Sequence, residues 1–232
     1  MFHSASIEAP ATDTSSCPPR VLSLSSMVKG RVLKSGLWDH RSTTQSSGDP
    51  RVRIGPGMRE LELRRHAIRQ KGEDALSPEG RVQAESVGRT LPADYAFVFI
   101  SPAKRAVETV AWFLRASSQP LPPHAVVPEL QSEAEDRWRQ AASAARSSRI
   151  DAIMTVDAGL VATESRRLAR TVAEMMGRVP NGGRALAVGH SPLIEAAVYG
   201  LLGQIIEPLR ECEGIKLAMD EAGSYRVEEL RT

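Results

Sequence analysis

The chain is predicted to be an α/β protein, a three-layer α/β/α sandwich on a mostly parallel central sheet with a C-terminal hairpin. Three observations carry this. Tyr95-Ala-Phe-Val-Phe-Ile100 and Ala185-Leu-Ala-Val188 are continuous apolar runs of strand length, as expected of strands covered on both faces. Each is followed within a few residues by a segment with helical periodicity. Gly214–Met219 and Tyr225–Leu230 then stand as a pair joined through Asp220-Glu-Ala-Gly223, the pattern of a closing hairpin. Strands alternating with helices imply a parallel sheet with helices on its faces.

Residues 1–57 differ in kind from the rest. About 25 of them are Ser, Thr, Pro or Gly, a composition too poor in apolar surface to offset the entropy of ordering. They are expected to form a disordered extension, with one folded domain over residues 58–232. Leu61 and Leu63 alternate with Glu60, Glu62 and Arg64, a strand expected to have one polar face. Ser77-Pro78 reads as N-cap and first residue of a helix whose apolar positions are Val82, Val87 and Leu91. Ser101-Pro102 is expected to cap a second helix bearing Ala106, Val107, Val110, Ala111 and Leu114, ended by Pro120, Pro122 and Pro123. Ala125–Val127 suggests a short strand. Residues 129–149 read as helical with few core-forming side chains, and a longer helix lies between Met154 and Met176. After a turn at Asn181-Gly-Gly183 and the strand at 185–188, Ser191-Pro192 is expected to cap a helix through Leu201, closed by Gly203.

Bulk properties exclude several classes of function. A net charge of +2 gives no electrostatic footprint for nucleic acid, and no apolar run reaches the roughly 20 residues that cross a bilayer. Cys17 and Cys212 are the only cysteines, and neither has a neighbour at metal-ligand spacing. A reducing, cytoplasmic setting is therefore expected. The N-terminus lacks the basic start and apolar core of a secretory signal.

Three stretches carry chemistry: Leu61-Glu-Leu-Arg-Arg-His-Ala-Ile-Arg69, Ser101-Pro-Ala-Lys-Arg-Ala-Val-Glu-Thr109 and Ala187-Val-Gly-His-Ser-Pro192. Each follows a strand. Ligands bind at the carboxyl edge of a parallel sheet, so Arg65, His66, Arg69, Ser101, Arg105, His190 and Ser191 are expected to share one rim. Arginine matches phosphate through its planar fork, and two Ser-Pro helix starts would add N–H donors. A histidine among arginines is held neutral by their charge, and neutral imidazole can accept a phosphoryl group covalently. The pairs Arg166-Arg167 and Arg137/Arg139 read as solvated helix faces. His3, His40 and His124 read as incidental, and Trp112 with Met175 and Met176 as core.

These residues resemble the histidine phosphatase superfamily, the phosphoglycerate mutase-like fold, over about residues 58–232. Arg65-His66-Ala67 is similar to its Arg-His-Gly signature and Leu76-Ser-Pro-Glu-Gly80 to its Leu-(Thr/Ser)-x-x-Gly element. Arg105 stands where the family's second phosphate-binding arginine lies, and Val188-Gly-His-Ser-Pro192 matches the second histidine motif. The resemblance implies that His66 becomes phosphorylated while Arg65, Arg105 and His190 bind the phosphoryl group, with no metal or other cofactor. Ala67 replaces the usual glycine. Arg69 resembles the extra arginine of the acid-phosphatase branch, whose His-Asp pair is absent here. For the proton donor the resemblance points to Glu133, followed by Glu129 and Glu135. The expected activity is that of a metal-independent phosphatase acting on a phosphorylated small molecule, phosphoprotein or phosphohistidine. The alternatives are a phosphoglycerate-type mutase and a catalytically weak phosphate-binding module.

Overall fold

A computed structural model describes residues 57–232; the expected extension over residues 1–57, and Cys17 within it, lie outside the described residues apart from Gly57. In chain order the elements are β1 (Arg59–Arg65), α1 (Pro78–Gly88), β2 (Phe97–Ile100), α2 (Lys104–Ala116), β3 (His124–Val126), α3 (Glu135–Ala145), α4 (Ile150–Val156), α5 (Ala158–Arg178), β4 (Arg184–Gly189), α6 (Leu193–Leu202), β5 (Gly214–Met219) and β6 (Tyr225–Leu230). One six-stranded sheet has the order β3-β2-β4-β1-β5-β6. Its first four strands pair parallel, and the β5–β6 hairpin adds antiparallel to β1. The fold class is as the sequence predicted.

The sheet separates two cores. Leu61, Leu63, Ala185 and Ala187 pack with α3 to α6, whereas Val98, Ile100, Leu186 and Val188 pack with α1 and α2. Both faces of β1 are buried, contrary to the single polar face expected of its alternation. Glu60, Glu62 and Arg64 are each less than a tenth exposed. They are tolerated because each charge is paired, as burial requires. Arg64 Nε donates to Glu62 Oε1 at 2.5 Å, Tyr95 Oη donates to Glu62 Oε2 at 2.6 Å, and Arg184 pairs with Glu60 at 2.9 Å.

Ser77 caps α1 as expected, its Oγ accepting from Gly80 N at 3.0 Å. The buried face of α1 differs in part from the sequence reading. Val82 is 67% exposed, whereas Val87 and Leu91, the latter beyond the helix, pack into the core as expected, and Gly80, Ala84 and Gly88 also face inward. The reason is close approach: a Cβ on Gly80 would lie 1.9 Å from the Ile68 carbonyl oxygen. Small residues let α1 press against the loop that follows His66. The longer helix expected between Met154 and Met176 is α5; Met154 itself lies on the short α4 before it, and the carboxylate of Asp157 between them caps α5 through Leu160 N. Residues 129–149 also bury more than expected, because Trp138 is 3% exposed. Gly203 ends α6 with φ 65°, a left-handed conformation in which glycine carries no steric cost.

The parallel register sets up the site. Arg65 pairs with Gly189 and Ile100 with Val188, so β1, β2 and β4 end level with one another. The next residues, His66, Ser101 and His190, therefore emerge side by side. His66 N donates to Gly189 O at 3.1 Å, and Ser101 N to Val188 O at 3.1 Å.

Candidate active site

His66 and His190 sit on adjacent strand ends with ring centroids 5.2 Å apart. Arg105, from the first turn of α2, reaches between them. Its Nε donates to His66 Nε2 at 3.2 Å and its Nη2 to His190 Nδ1 at 3.2 Å. A guanidinium can only donate, so both imidazole nitrogens accept, and this fixes the tautomers. His66 Nδ1–H then donates to Ala67 O at 2.7 Å, and His190 Nε2–H to Ser101 Oγ at 2.7 Å. The lone pair of His66 that faces Arg105 belongs to Nε2.

Both histidines are neutral over the physiological range. Burial lowers the pKa of His66 to about 4, opposed by its bond to the Ala67 carbonyl and reinforced by the charges of Arg105, Arg65 and Arg69. Burial, then the Arg105 charge, lowers that of His190 to about 3. Neighbouring cations, the cause expected from the sequence, contribute less to this than burial does.

Arg65 leaves the end of β1 with its Nη1 donating to Leu209 O and its Nη2 to Glu211 Oε1, each at 2.7 Å. Arg105 is tied from outside by Asp74, whose Oδ1 accepts from Nη1 at 2.5 Å, while Glu135 lies 3.5 Å from Nη2. Thr109, one turn along α2, is fully buried. Its Oγ1 accepts from Ala67 N at 3.0 Å and donates to Arg105 O at 2.7 Å. This couples the loop that follows His66 to the helix that carries Arg105. The Ala67 methyl is fully buried in the core between α1, α2 and the sheet.

A cavity of about 290 Å³ opens over these groups. Arg65, His66, Arg69, Arg105, His190 and Ser191 line it, joined by Glu135, Trp138, Arg139 and Glu211. Glu133 is not among the lining residues. It is exposed and borders a separate depression with Glu129 and Arg167, because the chain turns at Glu133 and Ala134 before α3 and carries Glu135 to the cavity side. Ser101 serves the site through His190 without lining the cavity. The two serines do not cap helices by their side chains: α2 begins after Ala103 and α6 after Pro192. Ser101 is committed to His190, and Ser191 donates to Glu195 Oε1 at 2.5 Å. The first N–H of α2, that of Lys104, donates to Asp74 Oδ2 at 2.8 Å.

Arg167 departs from the solvated face expected of it, whereas Arg139 is exposed as expected. Arg139 lines the cavity mouth while pairing with Asp136 at 2.9 Å. Arg167 donates to the carbonyls of Glu129 and Gln131 and to Glu164, so it ties α5 to the turn before α3. Sequence reasoning also passed over Asp74, Thr109, Glu195 and Glu211. Thr109 was legible as an i+4 partner of Arg105; the others act across long sequence separations that no local pattern reveals. Among the described residues, no three His, Cys, Asp or Glu side chains gather as a metal-ligand set. No helix there is long and apolar enough to cross a membrane.

Two neutral imidazoles with the buried Arg105 and the partly buried Arg65, all at the carboxyl edge of a parallel sheet, make a pocket suited to a tetrahedral oxyanion. Comparison with known proteins identifies the lineage. Residues 59–226 match the family model of the histidine phosphatase superfamily, branch 1, and the chain belongs to that superfamily. No curated protein matches it at the sequence level. Among solved structures it is similar to a phosphoglycerate mutase from Bacillus anthracis, with TM-score 0.59 and 19% identity over 76% of this chain and 94% of that one. It is also similar to a mycobacterial glucosyl-3-phosphoglycerate phosphatase, with TM-score 0.53 and 18% identity over 75% and 99%. A phosphoserine phosphatase from Entamoeba histolytica matches with TM-score 0.52 and 15% identity over 75% and 98%. These likenesses establish a shared fold, and the superfamily they represent holds both mutases and phosphatases.

Proposed function

We propose that the protein is a phosphatase that hydrolyses a phosphomonoester or phosphohistidine through a phosphohistidine formed on His66. One observation supports this above the others. The His66 tautomer is fixed by the Ala67 carbonyl, which leaves the Nε2 lone pair turned towards Arg105 and His190. In the first step Nε2 attacks phosphorus and the bond from phosphorus to the leaving oxygen or nitrogen breaks. Arg65 and Arg105 donate to the equatorial oxygens, where charge accumulates in the transition state; His190 joins them in its other tautomer, with the proton on Nδ1 and Ser101 Oγ donating to Nε2, once the phosphoryl group has taken the place of the Arg105–His190 bond. For the leaving-group proton the geometry favours Glu135 over Glu133, since Glu135 lines the cavity and Glu133 does not. In the second step water attacks phosphorus, the P–N bond breaks, His66 regains its neutral form, and the proton from water returns to Glu135.

Arg69 and Ser191 stand at the cavity wall as further substrate contacts. A volume of about 290 Å³ suits a small phosphomonoester or one phosphorylated side chain, at the lower end of small-molecule sites. The test is hydrolysis of p-nitrophenyl phosphate in EDTA by the wild type and by His66→Ala, both shown to be folded. Activity that disappears in the variant supports the proposal; equal activity in both removes His66 as nucleophile. Turnover that depends on a bisphosphate primer would instead favour a mutase.

A further inference from the structure

We infer that Glu195 is a positioning residue for Arg65, setting the affinity of the site for a phosphoryl group without touching it. This rests on the reading of the cavity as a phosphate site. Glu195 is 1% exposed and lies among Leu193, Ile194, Ala196, Ala197 and Val198, all buried on α6. A carboxylate in such a setting costs several kcal/mol unless its partners compensate. Its partners belong to the two loops that frame the site. Oε1 accepts from Ser191 Oγ at 2.5 Å, directly after His190, and from Leu209 N at 2.8 Å. The carbonyl of the same Leu209 accepts from Arg65 Nη1, and Glu211, two residues on, accepts from Nη2.

The segment from Gly203 to Glu213 contains no helix or strand, so its path depends on such anchors. Gln83 supplies a second by donating to Glu211 O at 3.1 Å. Glu195 thus holds the acceptors that aim the Arg65 fork. The Arg65 charge acts back on Glu195: burial raises the carboxyl pKa, and the bonds from Leu209 and Ser191 together with that charge oppose the rise. A residue of purely structural use would need no link to the arginine, whereas here one peptide unit, that of Leu209, joins the two side chains.

The test is calorimetric binding of inorganic phosphate to the full chain. Glu195→Ala is expected to weaken binding about tenfold, as for loss of a hydrogen-bond network to a charged group. Glu195→Gln keeps the Oε1 acceptor and is expected to stay within about threefold of wild type. In an Arg65→Ala background, Glu195→Ala should add less than about a twofold effect, the non-additivity expected of residues acting in series. Wild-type affinity in Glu195→Ala, or an equal loss in both backgrounds, would overturn the inference. Should the alanine variant not fold, Glu195→Asp replaces it: the shortened carboxylate cannot keep both bonds, and unchanged affinity there has the same negative meaning. Wild type that fails to bind phosphate would overturn the phosphate-site reading as a whole. Retained hydrolysis by His66→Ala beside an intact Arg65–Glu195 coupling would overturn only the catalytic proposal.

Discussion

Acidifying the protein from about pH 7 to about pH 5 should remove about 4 kcal/mol of folding stability through His66 and His190 alone. In the unfolded chain each imidazole has its ordinary pKa of 6.5, whereas in the folded protein burial holds them at about 4 and about 3. The folded values are the lower ones, so between these limits the unfolded state binds more protons and stability rises with pH. The contribution is fully present above 6.5 and is lost as pH falls towards the folded values. At pH 5 the unfolded rings have been charged across a span of about 1.5 pH units, at about 1.4 kcal/mol per unit, or about 2 kcal/mol for each ring. Glu195 works in the opposite sense, since burial raises its pKa and it binds a proton more readily when folded. Comparing variants isolates the histidines. Urea unfolding of wild type and His66→Gln across this range should show that the variant has lost about half of the histidine-dependent slope. Equal slopes in wild type, His66→Gln and His190→Gln would refute the reasoning, as would ring resonances assigned to His66 and His190 that titrate near 6.5 in the folded protein. The same neutrality keeps Nε2 available, so the acidic limb of kcat/KM due to His66 belongs near pH 4.

Other consequences follow from particular contacts. Gly80→Ala drives a methyl into the Ile68 carbonyl and should cost about 1–3 kcal/mol by denaturation, with a raised KM as the loop bearing Arg69 shifts. Thr109→Val removes the acceptor of the buried Ala67 N–H, with a loss of about 1–3 kcal/mol and a fall in kcat as the His66 loop loosens. Asp74 is half exposed, so Asp74→Ala should cost less than about 1 kcal/mol in stability while weakening phosphate inhibition through a less ordered Arg105. Glu135→Gln should slow turnover of an alkyl phosphate about 100-fold and leave a substrate with a good leaving group little affected; Glu133→Gln should change neither rate.

The sequence located the sheet because its strands carry uninterrupted apolar runs that only two-sided burial explains, as at Phe97–Ile100 and Arg184–Gly189. It located His66, Arg105 and His190 because each lies just beyond or within a turn of a strand end, and strand ends share one edge. It misread β1 because alternation normally marks a solvated face, and here the polar side is covered by Tyr95 and by ion pairs from Arg184. Of the apolar face assigned to α1 only Val82 turned outward, and the inward positions missed are Gly80, Ala84 and Gly88, where close packing selected small residues. Glu133 lost its place beside the cavity to Glu135 because the turn before α3 decides which glutamate faces inward. That turn is held by Arg167 from α5, some 36 residues away in sequence. Asp74, Glu195 and Glu211 were silent for a similar reason, since their meaning lies in partners that only the folded chain brings near.

The central claim is the covalent intermediate on His66 Nε2. Intact-protein mass measured after brief mixing with a phosphoryl donor and an alkaline quench, which preserves phosphohistidine, tests it most directly. The account predicts one added phosphoryl group on wild type, located to His66 by fragmentation and absent from His66→Ala. Steady hydrolysis by the wild type with no added mass at any mixing time, or an equal adduct on the variant, would contradict it.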